Sequence, residues 1–249
     1  MGKNGGRKIN KMKQLEKITN ILSNKFYPPL VYKDDNGVFY EWIRSFLKPN
    51  HIILDCGAGN GLLNPYNFKG YCKKIVGIDL DERVLKNPLL DEAHVGDFMN
   101  TSFPDQSFDI IFANNVVEHV KDPVKFLKEM KRILKPGGLL FIKTPNKWHY
   151  VGIVSSLTPH WFHLFYNRLR GVVGEDIFPT VYKVNQILKI KKLSGKLNFH
   201  YEIKYFEGRP EYLILNPLTF LGGVVYEKVV NRFSFLRFFR SVILFKITF

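Results

Sequence analysis

The stretch that decides the fold is Ile52-Ile53-Leu54-Asp55-Cys56-Gly57-Ala58-Gly59-Asn60-Gly61. Its apolar half is a short run that ends in turn residues, which is typical of a strand buried on both faces. Glycine has no Cβ, so the glycine-rich half lets the backbone turn tightly and lets a ligand lie against it. A turn of this kind, between the carboxyl end of a strand and the start of a helix, is a nucleotide site in open α/β sheets.

Strand and helix patterns alternate on both sides of this turn. After the first strand, the sequence predicts strands at 74–79, near His94-Val95, at 108–113, 139–144 and 199–206, and at 242–249. It predicts helices at 11–24, 37–47, 81–87, 122–134 and 181–194, and within 213–233. Asp122 and Pro123 are the N-cap and first residue expected of the fourth helix. The alternation predicts an α/β fold with a doubly wound, mostly parallel, seven-stranded sheet.

The same patterns suggest how the chain is organised. We expect one domain over residues 1–249. It would comprise N-terminal helices (1–50), a cofactor-binding core (51–147), an aromatic-rich helical insertion after the fifth strand (148–180), and a C-terminal part that completes the sheet (181–249).

Two acids follow the next two predicted strands. Asp79 ends the second strand, where doubly wound folds place an acid that accepts hydrogen bonds from ribose hydroxyls. Asp97 follows the third strand in Gly96-Asp97-Phe98. Two plainer roles stay open, because aspartate commonly caps helices and forms turns: Asp79 as a cap for the helix at 81–87, and Asp97 as a turn residue.

Five motifs in order make the chain resemble the class I methyltransferases, which use S-adenosyl-L-methionine. They are residues 54–61, Val76-Gly77-Ile78-Asp79, Gly96-Asp97-Phe98, residues 108–114, and Lys135-Pro136-Gly137-Gly138-Leu139-Leu140. Together they span about residues 50–147. The resemblance implies a Rossmann-like sheet, S-adenosylmethionine as cofactor, and methyl transfer as the activity.

The resemblance also implies a role for each motif. The glycine turn would approach the methionine part of the cofactor, and Asp55 would hold its amino group. Asp79 would bind the ribose, and Asp97 the adenine amine, with the backbone N–H of Phe98 donating to the ring. The full set of implied cofactor-binding residues is Asp55, Gly57, Ala58, Gly59, Asn60, Gly61, Asp79, Leu80, Asp97, Phe98, Asn114 and Asn115.

Two histidines are candidate catalytic residues. His119 follows the fourth strand, where the family often has a Glu-His pair, and it could act as a base for a hydroxyl acceptor. His160 lies among the aromatic residues of the insertion, which could form a cap over a ring-bearing acceptor. The alternatives are that His119 packs against or orients the cofactor, and that the insertion is a helical lid with core aromatics. No histidine spacing with an acid predicts a metal site.

Composition limits the partners. The net charge is +15, 45% of residues are hydrophobic, and no apolar run is long enough to span a membrane. We expect a small-molecule acceptor that is apolar, ring-bearing, or linked to a sugar or lipid. Nucleic acid is the first alternative, although the Asn-Pro-Pro-Tyr type of element found in base-amino methylases is absent after the fourth strand.

An NAD-dependent oxidoreductase and a non-catalytic module are further alternatives. The spacing G-x-G-x-G departs from the dinucleotide pattern, which counts against NAD. The N-terminus lacks the apolar segment of a secretory signal, so we expect a cytoplasmic protein. The basic, aromatic stretch from Phe233 to Arg240 leaves open a peripheral contact with an anionic membrane. The oligomeric state is not predicted.

Overall fold

The computed structural model describes residues 3–62, 66–158 and 187–249. The chain forms two compact units. The sheet unit consists of Asn36–Lys147, Phe178–Phe206 and Val242–Phe249. The helical unit consists of Met1–Asp35, Trp148–Ile177 and Glu207–Ser241. The expectation of one domain over the whole chain stays a prediction.

The sheet unit contains a seven-stranded sheet. Its strands are β1 (Ile52–Cys56), β2 (Lys74–Asp79), β3 (Glu92–Val95), β4 (Phe108–Asn114), β5 (Leu134–Pro145), β6 (His200–Phe206) and β7 (Val242–Thr248). Their order is β3-β2-β1-β4-β5-β7-β6. Strands β1 to β5 are parallel, whereas β7 is antiparallel to both β5 and β6. The predicted fold class is therefore confirmed.

The described α-helices are α1 (Lys3–Phe26), α2 (Asp35–Arg44), α3 (Pro123–Ile133), α4 (Tyr150–Leu157), α5 (Ile187–Leu197) and α6 (Pro217–Arg232). Short 3-10 helices lie at Glu82–Lys86, Val117–His119, Glu211–Leu213 and Ser234–Phe239. Helix α3 begins as predicted, since Asp122 Oδ1 accepts from the backbone N–H groups of Val124 and Lys125 at 3.0 Å. The helix predicted at 81–87 is a 3-10 helix that is capped by Asp81.

Successive residues of a strand point to opposite faces of the sheet. Both faces of the central strands are buried. On one face, residues such as Leu54 and Ile111 pack in a cluster with Phe126 and Met130 of α3. On the other face, Ile53, Phe112 and Phe141 pack with Phe39 and Trp42 of α2. Burial on both sides explains why these strands are continuous apolar runs in the sequence.

The segment between the glycine turn and β2 contains no helix within the described residues 57–62 and 66–73. Tyr66 and Phe68 are both buried, and their rings are nearly parallel with centroids 6.4 Å apart. Residues two apart share a side in an extended chain but not in a helix. This aromatic pair joins the cluster around Phe112, so the segment covers the sheet without helical structure.

The helical unit has a small aromatic core of its own. Tyr27, at the end of α1, packs edge-on against Phe220 of α6, with ring centroids 6.3 Å apart. Helix α6 starts with a capping box between Asn216 and Thr219. Helix α4 lies in the predicted insertion, and residues 159–186 fall outside the described chain. None of the described helices combines the length and the apolar character that crossing a membrane requires.

Candidate functional site

The glycine turn folds back onto β2. The backbone N–H groups of Gly57 and Ala58 donate to the carbonyl oxygen of Ile78, at 2.8 and 3.3 Å. Gly57, Gly59 and Gly61 have φ angles of +75°, +49° and +77°. A Cβ at Gly57 would lie 2.3 Å from Val116 Cγ2, whereas a Cβ at Gly59 would meet no heavy atom within 4 Å. The turn is therefore closed at Gly57 and open at Gly59, where a ligand can lie against the backbone.

Asn87 braces this turn, and the sequence did not reveal it. Its side-chain Nδ2 donates to the carbonyl oxygens of Ala58 and Gly59 at 3.0 and 3.3 Å. Its Oδ1 accepts from the N–H of Leu89 at 2.9 Å. Oδ1 also lies 2.3 Å from where a Cβ at Gly61 would be. Because the contacts join segments far apart in the chain, no local pattern signals them.

Asp79 is held by the turn rather than by the following helix. Its two carboxylate oxygens accept from the N–H groups of Gly59 and Asp81, each at 2.9 Å. The cap of the 3-10 helix is Asp81, so the alternative capping role for Asp79 is wrong. A carboxylate offers about four acceptor positions, so Asp79 retains capacity for a hydroxyl donor. Leu80, beside it, is exposed. The ribose role of Asp79 stays a prediction.

Asp97 lies close along the same edge of the sheet. The N–H of Gly96 donates to the backbone oxygen of Asp79 at 2.8 Å. Asp97 Oδ1 accepts from the N–H of Met99 at 2.8 Å, which is the turn role left open by the sequence. The ring of Phe98 packs edge-on against Phe126, 5.9 Å away. The adenine role of Asp97 and Phe98 stays a prediction.

Asp55, at the end of β1, is an unusual carboxyl. Burial raises its pKa to about 8, and the negative charge of Asp79 adds to the shift. Near neutral pH, Asp55 in the protein alone is therefore largely protonated. A cationic group bound beside it would favour the ionised form. This is the property expected of a side chain that holds an ammonium group.

Asn114 ends β4 with an unsatisfied side chain. It is 6% exposed, and within the described residues neither its Oδ1 nor its Nδ2 has a hydrogen-bond partner. A buried amide without partners is costly and rare in folded proteins. The next residue, Asn115, is exposed and adopts φ 53°, with its N–H bonded to the oxygen of Lys143 at 2.9 Å. A ligand that carries both a donor and an acceptor would satisfy Asn114.

Glu118 is the second buried acid at this edge. Its carboxyl accepts a hydrogen bond from Thr144 Oγ1 at 3.3 Å, and burial raises its pKa to about 7. The Glu-His pair was noticed in the sequence for His119, whereas the burial of Glu118 was not foreseen. His119 is half-buried and ends the 3-10 helix at Val117–His119. His160 lies outside the described residues. The catalytic roles of both histidines stay predictions.

The predicted cofactor residues thus meet at the carboxyl ends of β1, β2, β3 and β4. They provide an open glycine backbone, three carboxyls and one unpartnered amide. This donor and acceptor set fits an adenosyl amino acid, which carries ribose hydroxyls, an adenine amine and an ammonium group. Among the described residues, no cluster of three or more histidines, cysteines or acids could hold a metal ion.

Comparisons with known proteins match the part of the chain that contains this site. Residues 54–142 match the family model described as "Methyltransferase domain". A ubiquinone biosynthesis O-methyltransferase from Parvibaculum lavamentivorans is 37% identical over 116 residues, which are 42% of this chain and 45% of the relative. Phosphoethanolamine N-methyltransferase 1 from Zea mays is 34% identical over 113 residues, which are 41% of this chain and 23% of the relative.

Solved structures show the same fold. An S-adenosylmethionine-dependent methyltransferase from Archaeoglobus fulgidus superposes with a TM-score of 0.53 over 91% of this chain and 97% of its own, at 16% identity. Residues 54–142 of the chain therefore match a methyltransferase domain, within a fold that the chain shares with a solved S-adenosylmethionine-dependent methyltransferase. It spans less than half the length of the two curated relatives named above.

Proposed function

We propose that the protein is an enzyme that transfers the methyl group of S-adenosylmethionine to a small-molecule acceptor. The observation that carries this proposal is the edge described above. There, the open backbone at Gly59 donates to Asp79, and the buried amide of Asn114, which has no partner among the described residues, ends the neighbouring strand β4. The bound cofactor supplies a methyl group on a sulfonium, which is already activated for transfer.

The chain's own residues have to bind the cofactor, orient it toward the acceptor and exclude water from the site. Asp79 is fixed by two backbone N–H groups, so its remaining acceptor positions have a set direction, and they would accept from ribose hydroxyls. Asp55 would ionise against the ammonium group. The amide of Asn114 would gain the partners it lacks. None of these side chains needs to react, because the reaction depends on position and desolvation.

A dinucleotide is disfavoured by the structure around the turn. A pyrophosphate is usually bound at the N-terminus of the helix that follows the glycines. The described residues on either side of 63–65 contain no helix before β2. This observation adds to the glycine spacing and favours S-adenosylmethionine over NAD.

The relatives named above support a proposal for the acceptor class. Their names refer to O-methylation in ubiquinone biosynthesis and N-methylation of phosphoethanolamine, and both imply small molecules. We propose an O- or N-acceptor that is ring-bearing, apolar, or linked to a sugar or lipid. His119, or His160 in the insertion, would take the proton from an acceptor that has to lose one early.

Calorimetric titration tests the cofactor part. S-adenosylmethionine and S-adenosylhomocysteine should bind at micromolar concentrations, and NAD should not. Asp79→Asn keeps one acceptor oxygen and should weaken S-adenosylhomocysteine binding about tenfold, the loss of one charged hydrogen bond. Asp91→Asn is the matched control, since Asp91 accepts from Ile75 N–H at the other end of β2. Equal losses in the two variants would contradict the assigned ribose role.

A transfer assay with labelled methyl groups tests the acceptor part. Phenolic, amine-bearing and nucleic-acid acceptors are compared at equal concentration. Methylation of nucleic acid alone would reject the small-molecule proposal. With an active phenolic acceptor, His119→Asn should lower kcat with little change in KM if His119 is the base. An unchanged kcat would show that His119 is not the base and would favour a packing role for it.

A further inference from the structure

Helix α6 has apolar side chains on two opposite sides, yet only one of these sides is covered within the described chain. Phe220, Val224 and Val230 are buried against the rest of the helical unit. Leu218, Leu221, Val225 and Val229 lie at spacings of three and four residues on the opposite side and are exposed. A stripe of apolar side chains along a helix normally faces another apolar surface. The exposed side therefore lacks the cover that its composition calls for.

The exposed stripe continues beyond the helix. Phe233 N–H donates to the oxygen of Val229, and the rings of Phe233 and Phe235 are 5.7 Å apart. Leu218, Val225 and Phe235 are 81%, 63% and 69% exposed. We define the α6 face by these exposed side chains: Leu218, Leu221, Val225, Val229, Phe233 and Phe235.

The 3-10 helix at Ser234–Phe239 is fixed to α6 rather than loosely attached. Tyr226 Oη donates to the oxygen of Phe239 at 2.6 Å. The guanidinium of Arg240 donates to the oxygens of Val230 and Asn231. These bonds hold the aromatic residues beside the helix, so the apolar surface is a built feature of the fold.

The charges around the α6 face have one sign. Lys228, Arg232 and Arg237 are exposed. Arg232 falls within the same helical stripe, between Leu221 and Val225 in angle. The single acid between residues 217 and 241 is Glu227. Its carboxyl is buried, where it accepts from Asn231 Nδ2 at 2.7 Å and Tyr27 Oη at 3.3 Å.

We propose that the α6 face docks on the surface of an anionic phospholipid bilayer. Aliphatic and aromatic side chains would enter the boundary between headgroups and acyl chains, and Lys228, Arg232 and Arg237 would meet lipid phosphates. The core of a protein–protein interface is depleted of charge, whereas residues 217–241, which form this face, carry three exposed cations and no exposed acid. The lipid surface is therefore the occupant that the charges favour. This inference does not depend on the methyl-transfer activity.

Co-sedimentation of the full chain with vesicles tests the proposal. Vesicles of equal parts phosphatidylcholine and phosphatidylglycerol should bind the protein, with weaker binding in high salt and to phosphatidylcholine alone. Each cation near an anionic surface contributes about fivefold in affinity, or about 1 kcal/mol, so Arg232→Gln with Arg237→Gln should weaken binding about 25-fold. Val225→Ser with Phe235→Ser should weaken it about tenfold or more, since both side chains would lose apolar burial.

Leu85→Ser with Lys86→Gln is the matched control, because both residues are exposed in the 3-10 helix of the sheet unit. Binding should be unchanged in this variant. Circular dichroism checks that each variant is folded. If the control variant loses as much binding as the two test variants, the charge of the whole chain is responsible and the α6 face is not the docking site.

Insertion is measured separately with Phe235→Trp. Its tryptophan emission, after subtraction of the wild-type signal, should shift to the blue with anionic vesicles. An unshifted emission, or no sedimentation with these vesicles, would overturn the proposal. Self-association that Val225→Ser with Phe235→Ser abolishes, in the absence of vesicle binding, would assign the face to a second copy of the chain instead.

Discussion

Replacing Asn114 by leucine should change folding stability and cofactor affinity in opposite directions. Both amide atoms of Asn114 are buried without a partner in the described part of the chain. An unsatisfied buried polar group costs about 1–3 kcal/mol. Leucine has a similar shape and no polar atom, so Asn114→Leu should stabilise the ligand-free protein by about 1–2 kcal/mol. The same change removes the group proposed to bond with the cofactor.

The comparison with Asn87 makes this prediction specific. Asn87 is 8% exposed and Asn114 is 6% exposed, but the Asn87 amide has partners on both atoms. Asn87→Leu would leave the oxygens of Ala58 and Gly59 and the N–H of Leu89 without these partners. We expect a loss of about 1–3 kcal/mol in the free energy of unfolding, of the opposite sign to Asn114→Leu.

Urea unfolding gives the stability of each variant, and calorimetry gives its affinity for S-adenosylhomocysteine. At a ligand concentration 100 times Kd, the wild type should gain about 2.7 kcal/mol from binding. Asn114→Leu should lose most of this gain, because its affinity falls. A destabilised Asn114→Leu variant with unchanged affinity would refute the reasoning, since it would show that the amide serves the fold and not the ligand.

Three further predictions concern the same edge. Gly61→Ala should destabilise the protein, because φ is +77° and the new Cβ would lie 2.3 Å from Asn87 Oδ1. The control is Gly195→Ala in α5, where a Cβ meets nothing within 4 Å. Thermal unfolding should show that this control variant is more stable than the wild type by about 0.5–1 kcal/mol. Folded Glu118 keeps its proton between about pH 4.5 and 7, whereas unfolded Glu118 releases it. The contribution of Glu118 to stability is therefore complete below about pH 4.5 and falls by about 3 kcal/mol toward pH 7. Urea unfolding at these two pH values should show this loss of stability in the wild type, and Glu118→Gln should lack it. At pH 7, binding of S-adenosylmethionine should release a proton from Asp55, so the binding enthalpy should depend on the ionisation enthalpy of the buffer in the wild type and not in Asp55→Asn.

The sheet could be predicted because its signals are local. Apolar runs such as Ile52–Leu54 and Ile110–Ala113 are long enough to show burial on two faces, and Asp122-Pro123 marks the start of α3 within two residues. The predicted boundaries at 74–79 agree with β2. Such patterns predict structure that is determined by residues within the same segment of the chain.

The remaining features depend on contacts between distant segments. Tyr66 and Phe68 cover the sheet without a helix because Phe112, on another strand, provides a surface for their rings. Asn87 braces the glycine turn from a separate loop. The uncovered side of α6 is also invisible in the sequence, since an apolar helix in Pro217–Arg232 predicts burial without showing which side is left exposed.

The edge at the ends of β1 and β4 carries three groups that oppose folding of the protein alone. The amide of Asn114 has no partner in the described chain, and burial holds the carboxyls of Asp55 and Glu118 partly neutral at pH 7. Apolar residues at these positions would serve the sheet better. A ligand with an ammonium group and hydrogen-bonding atoms reverses the cost for Asp55 and Asn114, because it supplies the charge and the partners that the fold omits. Glu118 accepts a hydrogen bond from Thr144 that joins the turn after β4 to β5, but its burial still lowers the stability of the protein toward pH 7. The edge thus contains two groups whose cost a bound ligand would reverse and one that joins the turn to β5.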